Sequence, residues 1–135
     1  MTAVPNIFPV LRYRDAAKAE RWLADAFGFS TVFSVPGEGG RIAHAELRLG
    51  AGRIMIASAD DVAEETALDP RTARQSNYVA VPDIDEHYAR AVAAGAHVTL
   101  ELTDMDYGSR EYSATDFEGN HWSFGTYQPE PDPDE

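Results

Sequence analysis

The chain has 135 residues, a formal net charge of −12, 44% hydrophobic and 25% charged residues, and no cysteine. That balance fits one globular domain with a real core, and it excludes disulfides, thiolate metal sites and thiol nucleophiles. The acidity argues against a nucleic-acid partner, and no apolar run approaches the roughly 20 residues of a membrane span.

Ile7 to Tyr13 reads as a strand, with Ile7, Pro9, Leu11 and Tyr13 on one face and Phe8, Val10 and Arg12 on the other. Pro9 cannot donate a ladder hydrogen bond, so an edge position or a bulge is expected. Asp15 then caps a helix whose apolar stripe is Ala19, Trp22, Leu23, Ala26 and Phe27, with Gly28 as its stop. Ser30 to Val35 is a short strand, and Pro36 to Gly40 a loop. Arg41 to Leu49 alternates, placing Ala43, Ala45, Leu47 and Leu49 on one face and Ile42, His44, Glu46 and Arg48 on the other. Gly50-Ala51-Gly52 turns the chain into a strand over Arg53 to Ala57.

The polar, acidic stretch from 59 to 75 reads as a linker or flap. The same order of elements then recurs. Ser76 to Val81 is a strand, and Asp83 with Glu86 forms a capping-box pattern. Ile84, Tyr88, Ala91 and Val92 give a second helix its stripe, Gly95 stops it, and His97 to Leu102 is a strand. A hairpin follows around Asp116-Phe117-Glu118-Gly119-Asn120, with Trp122 and Phe124 on its core face and His121, Ser123 and Gly125 on the other. His87 and His97 read as surface residues. Asp15 matches Asp83, Gly28 matches Gly95 and Gly52 matches Gly119, a repeat of about 67 residues. The chain is a tandem βαβββ duplication: module 1 over about 5–58, a linker over 59–75, module 2 over about 76–128, one domain over 1–129, and an acidic tail over 130–135. The tail holds four acids, Glu130, Asp132, Asp134 and Glu135, leaving about −8 on the body.

This duplicated unit and its Asp116 to Asn120 turn resemble the vicinal oxygen chelate superfamily of glyoxalases, bleomycin-resistance proteins and extradiol dioxygenases. The resemblance implies an α+β fold in which two modules form a cupped, mostly antiparallel sheet with helices outside and a cleft within. It places the superfamily's four metal-ligand positions on Phe8, Met55, Ser76 and Ser123. Those side chains offer an oxygen-seeking divalent cation no carboxylate or imidazole, so neither a metal nor another cofactor is expected.

The functional reading is a metal-free protein that binds or sequesters a small molecule, as bleomycin-type resistance proteins do. Its alternative is a lyase-, isomerase- or dioxygenase-type enzyme. That enzyme would use a displaced metal at His44, Glu46 and His121, or metal-free acid–base chemistry by Glu46 or Glu111. The expected cleft residues are Phe8, Val10, His44, Glu46, Met55, Tyr78, Arg110, Glu111, His121 and Ser123. An apolar, partly aromatic cleft on an acidic body suits a small organic ligand of cationic or aromatic character. A homodimer is expected, because edge strands need cover. The absence of a basic-then-apolar N-terminal segment and of cysteine fits a cytoplasmic protein.

Overall fold

A computed structural model describes residues 8–59 and 75–128. Module 1 comprises β1 (Val10–Tyr13), α1 (Ala16–Phe27), β2 (Ser30–Pro36), β3 (Ile42–Leu49) and β4 (Gly52–Ser58), with a 3₁₀ turn at Glu38–Gly40. Module 2 repeats the order as β5 (Asn77–Ala80), α2 (Ile84–Ala93), β6 (His97–Asp104), β7 (Arg110–Thr115) and β8 (His121–Gly125). Linker residues 60–74 and the tail lie outside the described residues.

Local chemistry sets the ends of both helices. Asp15 accepts a hydrogen bond from Lys18 N at 3.1 Å and Asp83 one from Glu86 N at 3.2 Å, satisfying first-turn donors that have no helical partner. Gly28 adopts φ 88° after α1, a left-handed conformation that side chains resist.

Hydrogen bonding defines one four-stranded sheet per module, with orders β1-β4-β3-β2 and β5-β8-β7-β6. In each, the first strand runs parallel to the last and the remaining pairs are antiparallel. The duplication is visible in the register. Val10 stands opposite Met55 in module 1, and Tyr78 opposite Ser123 in module 2. β1 lies at a sheet edge, as Pro9 implies, and Pro9 contributes only its carbonyl, to Met55 N at 2.9 Å.

One face of each sheet is covered by the helices, which also pack on each other. Leu11, Tyr13, Ala45, Leu47 and Ile56 line that face in module 1; Tyr112, Ala114, Trp122 and Phe124 line it in module 2. Phe27, the last residue of α1, carries the core across the module boundary. Its ring lies 5.4 Å from Trp122, 4.8 Å from Phe124 and 6.2 Å from His87. The first two contacts are tilted and the third is stacked, geometries that add to the stabilisation from the area they bury.

Two sequence-based expectations about α2 need correction. Val92 is 48% exposed and falls outside the apolar stripe. His87, expected at the surface, is half-buried and bridges three elements: Nε2 meets Phe27 O at 2.8 Å and Nδ1 meets Tyr112 Oη at 2.6 Å. The helix is rotated so that His87 faces the partner helix, which supplies a hydrogen-bond acceptor at its C-terminal end.

Candidate functional site

The face of each sheet away from the helices is open, and alternation decides what it presents. In module 1 it carries Val10, Arg12, His44, Glu46, Arg48, Arg53 and Met55; in module 2 it carries Tyr78, Glu111, Ser113, His121 and Ser123. Val10 is 55% exposed. Arg53 donates to Glu46 Oε2 at 2.8 Å, and the His44 ring lies 5.6 Å from Phe33. In module 2 the Ser113 and Ser123 hydroxyls share a hydrogen bond of 2.8 Å between neighbouring strands.

Arg110 does not belong with these residues, which corrects its place in the expected cleft. It shares the helix-side parity of Tyr112 and Ala114, and it bonds Asp85 of α2 and Asp104 of β6, each at 2.9 Å. Those two carboxylates hold its pKa above the usual arginine value, Asp85 first.

The positions implied for metal ligands do not fit an oxygen-seeking metal. Met55 offers a thioether, Phe8 nothing, and Ser76 and Ser123 neutral hydroxyls, one already engaged by Ser113. The displaced grouping is not assembled either. Among the described residues no three His, Asp or Glu side chains converge as a metal would need, so His44, Glu46 and His121 do not form such a group.

Two cavities lie along the seam between the modules. The larger, about 620 Å³, has apolar wall residues Phe8, Phe29, Ile54 and Trp122 beside polar ones that include Arg53 and Asn77, and Gly50-Ala51-Gly52 borders it, as does Tyr78. The smaller, about 200 Å³, is lined by Val10, Arg12, Asn77, Asn120 and His121. Phe8 and Tyr78 of the expected cleft therefore meet in one cavity, Val10 and His121 in the other. Phe29 and Trp122 were not expected there. Both are core residues whose outer edges form a wall, and their spacing signals only the core.

At the opposite corner the modules are locked together. Asp116 is buried, and it accepts from Tyr13 Oη at 2.6 Å, Trp122 Nε1 at 3.2 Å and the Glu118 and Asn120 amides at 3.0 Å. Burial, and then the Asp116 charge, push the Tyr13 hydroxyl far above its ordinary pKa, so it remains a donor. Glu118 accepts from Arg14 N at 2.7 Å and Asp15 N at 2.8 Å, fastening the β7–β8 turn to the β1–α1 corner.

Comparison with known proteins agrees with this architecture. Residues 7–124 match the family model of the Glyoxalase/Bleomycin resistance protein/Dioxygenase superfamily. An uncharacterised protein of Mycobacterium bovis is 32% identical over 127 residues, covering 90% of this chain and 82% of its own. The crystal structure of TioX from Micromonospora sp. ML1 superposes with a TM-score of 0.72 at 32% identity, over 91% of this chain and all of that one. The genomically encoded fosfomycin resistance protein FosX from Listeria monocytogenes shares the fold, with a TM-score of 0.68 at 16% identity over 94% of this chain and 96% of its own. A match spanning nearly every described strand and helix, joined to the duplicated register, places this chain in the Glyoxalase/Bleomycin resistance protein/Dioxygenase superfamily.

Proposed function

We propose that this protein binds a small organic molecule without covalent chemistry and without a divalent metal, acting as a carrier or sequestering protein. The observation that supports this reading is the seam cavity of about 620 Å³, a volume in the range of small-molecule sites. Its walls mix apolar and aromatic side chains with polar ones, so a flat apolar group seated against Phe8, Phe29, Ile54 and Trp122 gains about 25 cal/mol for each Å² it removes from water, less ordering costs. Backbone at Gly50-Ala51-Gly52 and the amides of Gln75, Asn77 and Gln128 supply neutral hydrogen-bonding groups, and the one cation among the described lining residues, Arg53, is paired with Glu46.

A homodimer is part of the proposal. All seven residues of β2 are exposed on an edge strand, and Val32, Phe33 and Val35 are 42%, 44% and 47% exposed. Apolar edges of this kind are ordinarily covered. Light scattering should return twice the chain mass of 14.8 kDa; the single-chain mass at micromolar concentration would overturn the dimer.

The binding reading is tested by calorimetry and thermal shift with flat aromatic compounds of neutral, cationic and carboxylate types. Neutral or cationic members should stabilise the protein, and Ala51→Trp, which projects a large ring at the cavity mouth, should abolish the effect. Ligands that stabilise the wild type and the variant equally would place binding elsewhere. Elemental analysis should find no stoichiometric divalent metal. One equivalent, lost together with stability on chelation, would overturn the metal-free reading.

A further inference from the structure

One carboxylate on the open face of module 2 stands among three exposed tyrosines. Glu111 lies on β7, and Tyr107 in the loop before it donates a hydrogen bond to Glu111 Oε2 at 2.8 Å. Tyr78 reaches the same place from β5 across Gly125 of β8. A Cβ at Gly125 would lie 2.6 Å from Glu111 Cγ and 2.8 Å from Tyr78 Oη, so the missing methyl is what lets both side chains lean over this position. Tyr78 then donates to Tyr127 O at 2.6 Å, and the two rings meet at 55° with centroids 6.5 Å apart. Tyr78, Tyr107 and Tyr127 are 41%, 59% and 53% exposed.

The charges around this corner are unbalanced. Among the described residues no cation pairs with Glu111, whereas Glu46 of module 1 is met by Arg53, and Asp85 and Asp104 by Arg110. Arg110 is turned to the helix side and held there. Both hydroxyls beside Glu111 stay protonated: that of Tyr107 is raised by its hydrogen bond to Glu111, that of Tyr78 by burial and then by Glu111. The rings are therefore neutral and largely exposed beside one negative charge with no cationic partner among the described residues. Ring faces attract cations through their quadrupole, and quaternary ammonium groups suit them because, with no N–H to hydrogen-bond water, they are the easiest ammonium ions to desolvate.

We infer that Tyr78, Tyr107, Tyr127 and Glu111 form a binding corner for the alkylammonium head of an organic cation. The inference deepens the small-molecule reading and rests on it for the rest of the ligand: Tyr78 borders both this corner and the seam cavity, so one molecule can place its ammonium here and its apolar part there.

The test uses tetramethylammonium, with tert-butanol as an uncharged molecule of similar shape, each titrated at low salt and followed by NMR. Tetramethylammonium should shift resonances of Tyr78, Tyr107, Glu111 and Tyr127 and bind at least about tenfold more tightly than tert-butanol. Glu111→Gln and Tyr107→Leu should each weaken it severalfold, with the remaining amide spectrum unchanged as proof of folding. Ala51→Trp should leave it unaffected, because so small an ion does not need the cavity; failure of the cavity reading and failure of this one are thereby separable. Equal binding of the two probes, shifts located elsewhere, or indifference to Glu111→Gln would overturn the inference.

Discussion

Where the β7–β8 turn of module 2 reaches module 1, Asp116 and Glu118 gather the donors of β1, Trp122 and the following loop. Where the β3–β4 turn of module 1 reaches module 2, Gly50-Ala51-Gly52 brings almost no side chain, and a cavity of about 620 Å³ remains. The open faces differ in the same sense. Module 1 presents Arg12, Arg48 and Arg53, the last paired with Glu46; module 2 presents tyrosines around Glu111. Duplication thus supplies two equivalent corners, and each is free to take a different task once the other is secured. The clamped corner ties the β7–β8 turn to the β1–α1 corner through side-chain hydrogen bonds that its counterpart lacks.

The clamp should show the largest effect. Asp116→Ala strands the Tyr13 hydroxyl and the Trp122 indole N–H in the core and undoes the turn, so urea denaturation should register a loss of about 3–5 kcal/mol. Leu49 holds the position of Asp116 in module 1, and the neighbouring Arg48 is exposed on the strand, so Arg48→Ala should change stability by no more than about 0.5 kcal/mol. Similar losses at the two positions would dissolve the distinction between corners.

The next effect separates the two open faces. Module 1 has Ala57 opposite Arg12 where module 2 has Gly125 opposite Ala80. Gly125→Ala must displace Glu111 or Tyr78, at a cost of about 1–3 kcal/mol for overpacking. It should also remove tetramethylammonium binding. An unchanged titration would mean that the crowding over Gly125 does not shape the corner.

Glu118 sets a finer scale. Its side chain is 11% exposed and holds two backbone amides, so Glu118→Ala should cost about 1–2 kcal/mol. A loss below the uncertainty of the denaturation curves would show that water replaces it and that Asp116 alone carries the clamp.

Much of this was legible before any coordinates. Caps, stops and alternation are local, and Asp15, Asp83, Gly28, Gly95 and the Asp116 turn all behave as their neighbours dictate. The core faces of β3, β7 and β8 follow from the same period of two. Arg110 was misplaced even though its parity with Tyr112 was available in the sequence; its acidic partners, Asp85 and Asp104, sit on other elements. The cavity was not legible, because it arises from what Gly50-Ala51-Gly52 lacks relative to a distant counterpart. The tyrosine corner assembles from a strand, a loop and the stretch after β8, joined only by the fold. His87 failed for a related reason. Its polar partners, Phe27 O and Tyr112, belong to α1 and β7, and one-dimensional spacing on α2 cannot foresee them.

His87 also supplies the smallest prediction, a pH dependence at the module boundary. Because Nε2 faces the Phe27 carbonyl, that nitrogen must carry the proton, and Nδ1 is left to accept from the Tyr112 hydroxyl. The neutral ring is thus the form the fold selects. Burial lowers the His87 pKa, the Phe27 carbonyl opposes that shift, and Arg90 adds to the lowering. Arg90 is fixed nearby through its bonds to the Asp25 and Ala24 carbonyls. In the unfolded chain the group titrates near its ordinary value of about 6.5. Between that value and the lower folded one, the unfolded state binds the extra proton. The contribution is therefore fully present above about pH 6.5 and is lost as pH falls through the folded pKa. His87→Gln keeps a donor for Phe27 O and an acceptor for Tyr112 but does not titrate. Wild type should lose more melting temperature than the variant between about pH 7 and the folded pKa, and the gap should stay constant above neutrality. Parallel profiles across the whole range would mean that His87 joins the modules by packing alone.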